Sequence, residues 1–168
     1  MPHVVRFRLD DDAVAALEAL RGTAGGAGAD PAPDRPQVTV AAAGAIPAPA
    51  RDALVADLRL IALPTLWLAA LSSLPGDDEH LVLAAVTDPE VLAVHSVVHD
   101  VLAGRVRAPH AAHLPGSWLP HCVLVRAGAA RAFAALHPVA PVRARITAVE
   151  LQDTRTGSVD TLRSTTNG

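Results

Sequence analysis

Lysine and tyrosine are absent from this 168-residue chain, and it has only one cysteine, two phenylalanines and two tryptophans. Each shortage excludes something. With Cys122 alone, the chain can hold no internal disulfide and no thiolate cluster for zinc, which makes the cytoplasm the expected compartment. With so few aromatics, a core drawn from the 51% of residues that are apolar has to be packed from Ala, Val and Leu. All 14 basic residues are arginine, set against 17 acids, for a net charge near −3. A chain without an overall basic footprint has no general attraction to nucleic acid, although a local arginine cluster stays open. Missing lysine together with abundant Ala, Pro and Gly is the composition of a GC-rich bacterial genome. No apolar run reaches the ~18 residues that would cross a bilayer, so no membrane is expected as a partner. Leu60 to Leu74 comes closest, and Pro64 breaks it. The opening Met1-Pro2-His3-Val4, running into Asp10-Asp11-Asp12, lacks the form of a secretory signal.

What is present is organised around Trp118-Leu119-Pro120-His121-Cys122-Val123-Leu124-Val125-Arg126. This reads as a short strand introduced by a proline, with a histidine at its mouth. Alternation sends His121, Val123 and Val125 to one face and Cys122, Leu124 and Arg126 to the other. A second stretch, Arg35-Pro36-Gln37-Val38-Thr39-Val40, has the same outline, with Gln37 and Thr39 sharing a face. One such strand in each half suggests an internal duplication whose copies meet at a common cleft.

Taken in order, His3–Leu9 is expected as the first strand, and Asp10 to Asp12 suit the N-terminus of the helix that follows. Val14, Leu17 and Leu20 make that helix amphipathic up to Arg21-Gly22. Residues 23–36 are Gly, Ala, Pro and Asp without apolar periodicity and read as a mobile loop. A second strand over 37–42 leads to a helix over 48–60. Apolar runs at 65–71 and 81–86 flank Pro75-Gly76-Asp77-Asp78, which is turn chemistry, and form a hairpin. Asp88-Pro89 starts another helix, which ends at Gly104. After the His121 strand come a short helix over 129–136 and a closing hairpin of 142–151 with 158–162. Residues 163–168 are expected to fray. One domain spanning 1–168, with two similar halves, accounts for the whole.

The order of elements and the two proline-led strands resemble the 2H phosphoesterases, a family that includes bacterial 2′,5′ RNA ligase-like proteins and cyclic phosphodiesterases. Pro120-His121-Cys122-Val123 through Arg126 resembles the family's second motif strand, and Pro36-Gln37-Val38-Thr39-Val40 resembles the first. Leu92-Ala93-Val94-His95 resembles a helix the family places between them, and Thr147–Leu151 with Thr154–Gly157 resembles its last hairpin. The resemblance implies an α+β, bilobal, pseudo-twofold fold in which two antiparallel-rich sheets form a central cleft under flanking helices. It also implies a pair of His-x-Thr/Ser motifs facing each other, one histidine as base and the other as acid, with hydroxyls on the phosphoryl oxygens. No cofactor or metal is implied; the expected partner is a nucleotide or other small ligand.

This sequence departs from that pattern twice. Gln37 stands where the first histidine belongs, and Val123 stands where the second hydroxyl belongs. Gln37 hydrogen-bonds but does not titrate, and valine has the shape of threonine without its hydroxyl. Losing one acid or base costs ~10²–10⁴ in rate, and losing an oxyanion donor ~10²–10³. The expected function is therefore a diverged phosphoesterase-like protein that binds a phosphoester with weak or lost hydrolysis. A repurposed small-molecule enzyme using His121 alone is the alternative, and a non-catalytic binding module the second alternative.

His121 and Thr39 are the candidate catalytic residues, with Gln37, Val123 and Trp118 as substrate contacts. Against each stands a bland reading: a packed histidine at a strand start, an ordinary β-branched strand residue, a solvated strand end. Trp118 is the tryptophan expected in the cleft and Trp67 the one expected in the core. Arg126, opposite His121 by alternation, reads as structural or ion-paired, and Arg6 with Arg8 as solvated. His95 and His99 share a helix face at metal-clamp spacing, but without a third ligand they read as a cap on apolar surface and a solvent-exposed ring. His110 and His113 read as solvated loop residues.

Overall fold

The computed structural model describes residues 2–74 and 77–165. Eight strands and four helices follow one another as β1 (His3–Leu9), α1 (Asp11–Gly26), β2 (Asp30–Pro31), β3 (Gln37–Ala43), α2 (Ala48–Leu58), β4 (Thr65–Leu74), β5 (Asp77–Val86), α3 (Pro89–Leu102), β6 (His121–Ala127), α4 (Ala129–Leu136), β7 (Val142–Asp153) and β8 (Val159–Ser164). The α+β class expected from the sequence is the class found. No helix among the described residues is long and apolar enough to cross a membrane.

All strand pairs are antiparallel, in the order β2-β6-β5-β4-β7-β1-β3, with β8 also on β7. The long strand β7 joins two leaves. Its Val142–Arg145 end pairs β4, while Ile146–Asp153 pairs β1 and part of the same stretch pairs β8. The runs β1-α1-β3-α2-β4 and β5-α3-β6-α4-β7 share an order of elements, and each sends its last strand into the other run's leaf. Helix α1 packs on α4 and α2 on α3, which keeps the same exchange. What the structure shows is this matching order; descent from one duplicated copy is a proposal that the order supports.

The core is aliphatic, as the composition requires. Phe7, Leu17, Leu54, Leu66, Leu68, Leu83, Leu124 and Val149 are fully buried in one cluster. Asp10 caps α1 by accepting from Ala13 N at 2.8 Å, and Asp88 caps α3 by accepting from Val91 N at 2.9 Å. An N-cap carboxylate of this kind satisfies one of the amides a helix start leaves without a partner.

Several expectations are corrected. Residues 23–26 are the last turn of α1 and not loop, because Ala24 is fully buried and tertiary packing outweighs the low helix propensity of the glycines. Further along the same segment, Asp30–Pro31 pairs β6, and Ala32 N donates to Leu124 O at 3.0 Å. Arg163 and Ser164 belong to β8, and Thr165 N donates to Thr147 O at 2.8 Å, so only 166–168 of the expected frayed tail lie outside the described residues. Pro75-Gly76 of the β4–β5 turn also lie outside them. Trp67 is not core. It is 48% exposed on β4, with the Arg143 guanidinium 5.9 Å from its ring centre. The run around it alternates, burying Leu66 and Leu68 and leaving Trp67 on the opposite face.

Both motif strands carry a bulge at the same place. On β3, Arg6 pairs Thr39 and Val5 pairs Ala41, leaving Val40 as an extra residue. On β6, Val82 pairs Val123 and Leu81 pairs Val125, leaving Leu124 extra. An extra residue resets the alternation beyond it. Leu124 and Val125 are therefore both buried, and Arg126 turns to the face of His121 and Val123. The expected placement of Arg126 on the opposite face fails for this reason.

Candidate functional site

Gln37, Thr39, His121 and Val123 line one cavity of about 440 Å³, together with Arg21, Ala32, Asp34, Arg35, His80 and Arg126. A larger hollow of about 710 Å³, beside Arg8, Asp10, Asp11, Asp12 and Arg145, contains no histidine. The smaller cavity is lined by two histidines, His80 and His121.

His121 is half-buried, and its Nδ1 lies 2.7 Å from Leu119 O. A carbonyl only accepts, so Nδ1 carries the hydrogen and Nε2 is the basic nitrogen of the neutral ring. Burial lowers the His121 pKa below the usual histidine value, and the Leu119 carbonyl offsets part of that effect. The ring is therefore neutral at pH 7, with a lone pair at Nε2. Among the described residues lining the cavity, Thr39 brings the one hydroxyl, Gln37 an amide able to donate and accept, and Arg126 a guanidinium. Arg126 is held by Asp34 at 2.6 Å, and Arg35 by Asp11 at 2.9 Å.

The backbone of each motif strand is fixed from the side by a partner of its own. Arg21, only 4% exposed, donates from Nη2 and Nε to Val123 O at 2.7 and 3.3 Å and from Nη1 to Glu18 at 3.0 Å. On the other strand, Trp118 Nε1 donates to Thr39 O at 2.9 Å and His99 Nε2 to Val40 O at 3.2 Å. The Trp118 ring stacks on His95 at 4.1 Å and 7°, and meets Phe7 edge-on at 6.4 Å. Among the sequence-nominated residues, Trp118 is thus the one that does not line the cavity; it supports Thr39 from behind.

Of the two loop histidines, His110 is exposed as expected, while His113 is half-buried. His95 is buried and donates from Nε2 to His113 O at 2.8 Å. His99 is half-buried, not exposed as expected. Burial, with neighbouring His110, His121, His99 and His95, lowers the His113 pKa to about 4. Among the described residues no three His, Cys, Asp or Glu side chains are grouped as metal ligands. Arg6, expected in solvent, is bound to buried Glu150 at 3.0 Å and to Gln152 at 2.6 Å; Arg8 is half exposed. Buried Cys122 has its thiol pKa raised by burial and faces the core.

Sequence reasoning missed Arg21, Asp34, His80 and Arg126 as cavity residues. Arg126 alone belongs to a motif strand, and the bulge that turns it into the cavity is not visible in alternation.

The fold is shared with solved structures such as E. coli LigT, in keeping with the α+β fold that the motif strands led us to expect. Similar solved structures include E. coli LigT complexed with 3′-AMP, at 16% identity and TM-score 0.62 over 95% of this chain and 92% of that one. TT0787 of Thermus thermophilus is similar at 19% identity and TM-score 0.60 over 97% and 96%. Kluyveromyces marxianus Usb1 is similar at 11% identity and TM-score 0.55 over 95% and 96%. LigT has also been solved with ATP and with NADP+. No family model matches the sequence. No curated protein matches it either.

Proposed function

We propose that this chain is a diverged 2H phosphoesterase-like protein whose cleft binds a nucleotide or another phosphoester, with hydrolysis weakened by the Gln37 and Val123 substitutions. The observation that carries the reading is the meeting of Gln37, Thr39, His121 and Val123, from two distant strands, in one cavity that also holds Arg126. Thr39, Gln37 and Arg126 bind the phosphoryl oxygens in this reading, through charge-assisted hydrogen bonds where the guanidinium is the donor. His121 Nε2 accepts a proton from water or a hydroxyl. Trp118 acts through the Thr39 backbone, as a positioning residue. The similar structure with 3′-AMP supports the choice of ligand class.

Calorimetric titration with 3′-AMP and 2′,3′-cyclic AMP tests this, alongside His121→Ala and Thr39→Val. Binding that weakens in both variants is expected; no heat and no thermal shift at millimolar nucleotide would remove the reading. A second reading, acid–base chemistry on a non-phosphate metabolite, is favoured by one feature: Val123 presents an apolar side chain to the cavity where the resemblance places a hydroxyl.

A further inference from the structure

The cavity holds a second imidazole that the motif comparison does not anticipate. Where the resemblance calls for a first histidine on β3, this chain has Gln37, yet His80 lines the same cavity from β5. Register fixes its place. Ala84 pairs His121 and Val82 pairs Val123, so the cavity face of β5 carries Ala84, Val82 and then His80 by alternation. The bulge at Leu124 brings Arg126 onto that face beside His80. His121 and His80 therefore stand at opposite ends of a row whose middle is Val123, the position where the family pattern places a hydroxyl. The two backbone positions are separated by four residues of strand, roughly 13 Å at about 3.3 Å per residue. Both imidazoles line the one cavity of about 440 Å³, one from each end of this row.

We propose that His80 is a further catalytic residue, the general acid that replaces the histidine lost at Gln37. The proposal rests on the phosphoester reading above and adds to it a residual hydrolysis of cyclic phosphodiesters. His121 Nε2 accepts a proton from water as the water oxygen bonds to phosphorus. One ring P–O bond breaks, and its electron pair stays on the ribose oxygen. His80 gives a proton to that oxygen. Both rings then return to their starting states by exchange with solvent. Thr39, Gln37 and Arg126 hold the remaining phosphoryl oxygens throughout. The charged groups that share the cavity with His80 are Arg21, Arg35, Arg126 and Asp34, with His121 at the far end.

The test uses the full chain with 2′,3′-cyclic AMP as substrate and 3′-AMP as binding probe, comparing wild type with His80→Ala and His80→Gln. Wild type is expected to turn over slowly. His80→Ala should lower kcat by about a hundredfold or more, hold the 3′-AMP Kd within about threefold, and recover part of the rate in added imidazole. His80→Gln, which keeps a hydrogen-bonding side chain but no titrating group, should show the same loss. Unchanged kcat in either variant overturns the proposal. So does a folded His80→Ala protein that loses 3′-AMP binding, because His80 is then a ligand contact. Wild type that binds 3′-AMP but never hydrolyses the cyclic nucleotide overturns the role of His80 and leaves the binding reading standing. Wild type that binds neither removes both.

Discussion

The indole of Trp118 donates from Nε1 to the main-chain oxygen of Thr39 at 2.9 Å, across 79 positions of sequence. The bond reaches the one hydroxyl-bearing residue of the candidate site from outside the cavity and fixes the strand just before the bulge at Val40. Trp118→Phe keeps an aromatic ring at this position, removes the donor and gives up part of the indole's packing. A single hydrogen bond contributes ~1 kcal/mol, so a small loss of stability is expected. The 3′-AMP Kd should rise by more than that loss alone explains, because Thr39 is no longer held. Melting curves and calorimetry on the same variant separate the two effects.

Arg21 does for Val123 what Trp118 does for Thr39, but with a buried charge. Its guanidinium binds Val123 O and Glu18, and little of it reaches solvent. Arg21→Met leaves a buried carbonyl short of its donors, which costs ~1–3 kcal/mol. Chemical denaturation should show this destabilisation. Arg126→Met, at an exposed ion pair, should cost less than ~1 kcal/mol and act mainly on ligand affinity.

Acid should destabilise the fold through the imidazole group behind β3. The folded-state pKa values of His95, His113 and His121 are lowered, chiefly by burial, and that of His113 lies at about 4. The unfolded chain takes up these protons near pH 6.5, where the folded chain does not. The contribution of these rings to stability therefore falls as pH drops from about 6.5 towards 4. The total for His113 is at most a few kcal/mol, reduced by solvent screening because its ring is only half-buried. In His113→Asn the fall over this range should be shallower, as read from unfolding midpoints at pH 7, 5.5 and 4.5.

Much of this was legible in the sequence because local chemistry and period agreed. His3–Leu9 alternates and is β1; Asp88-Pro89 caps and starts α3; 129–136 is α4 at the expected bounds. Gln37, Thr39, His121 and Val123 could be nominated because the proline-led outline repeats. What failed depended on long-range geometry. Arg126 and Val125 exchange faces because of one extra residue on β6, and a bulge is set by pairing with β5 that no local pattern encodes. Trp67 and Trp118 both leave their expected surroundings, the one for solvent and the other for the flank of the core. Trp118 lies in a segment without regular structure, where a donor to the edge of β3 decides its place, while Trp67 follows the alternation of β4. His80 and Arg21 reach the cavity from elements that carry no motif at all.

If the cleft is a phosphoesterase-type site altered at Gln37 and Val123, restoring those two positions should restore its chemistry. Gln37→His with Val123→Thr returns an imidazole and a hydroxyl to the strand faces that line the cavity. Valine and threonine are nearly the same size, and a hydroxyl without a partner costs at most ~1–3 kcal/mol. The measurement is the rate of 2′,3′-cyclic AMP hydrolysis by the double variant relative to wild type. A gain of about a hundredfold or more is expected, abolished when His121→Ala is added. A folded double variant no faster than wild type would contradict this reading of the cleft.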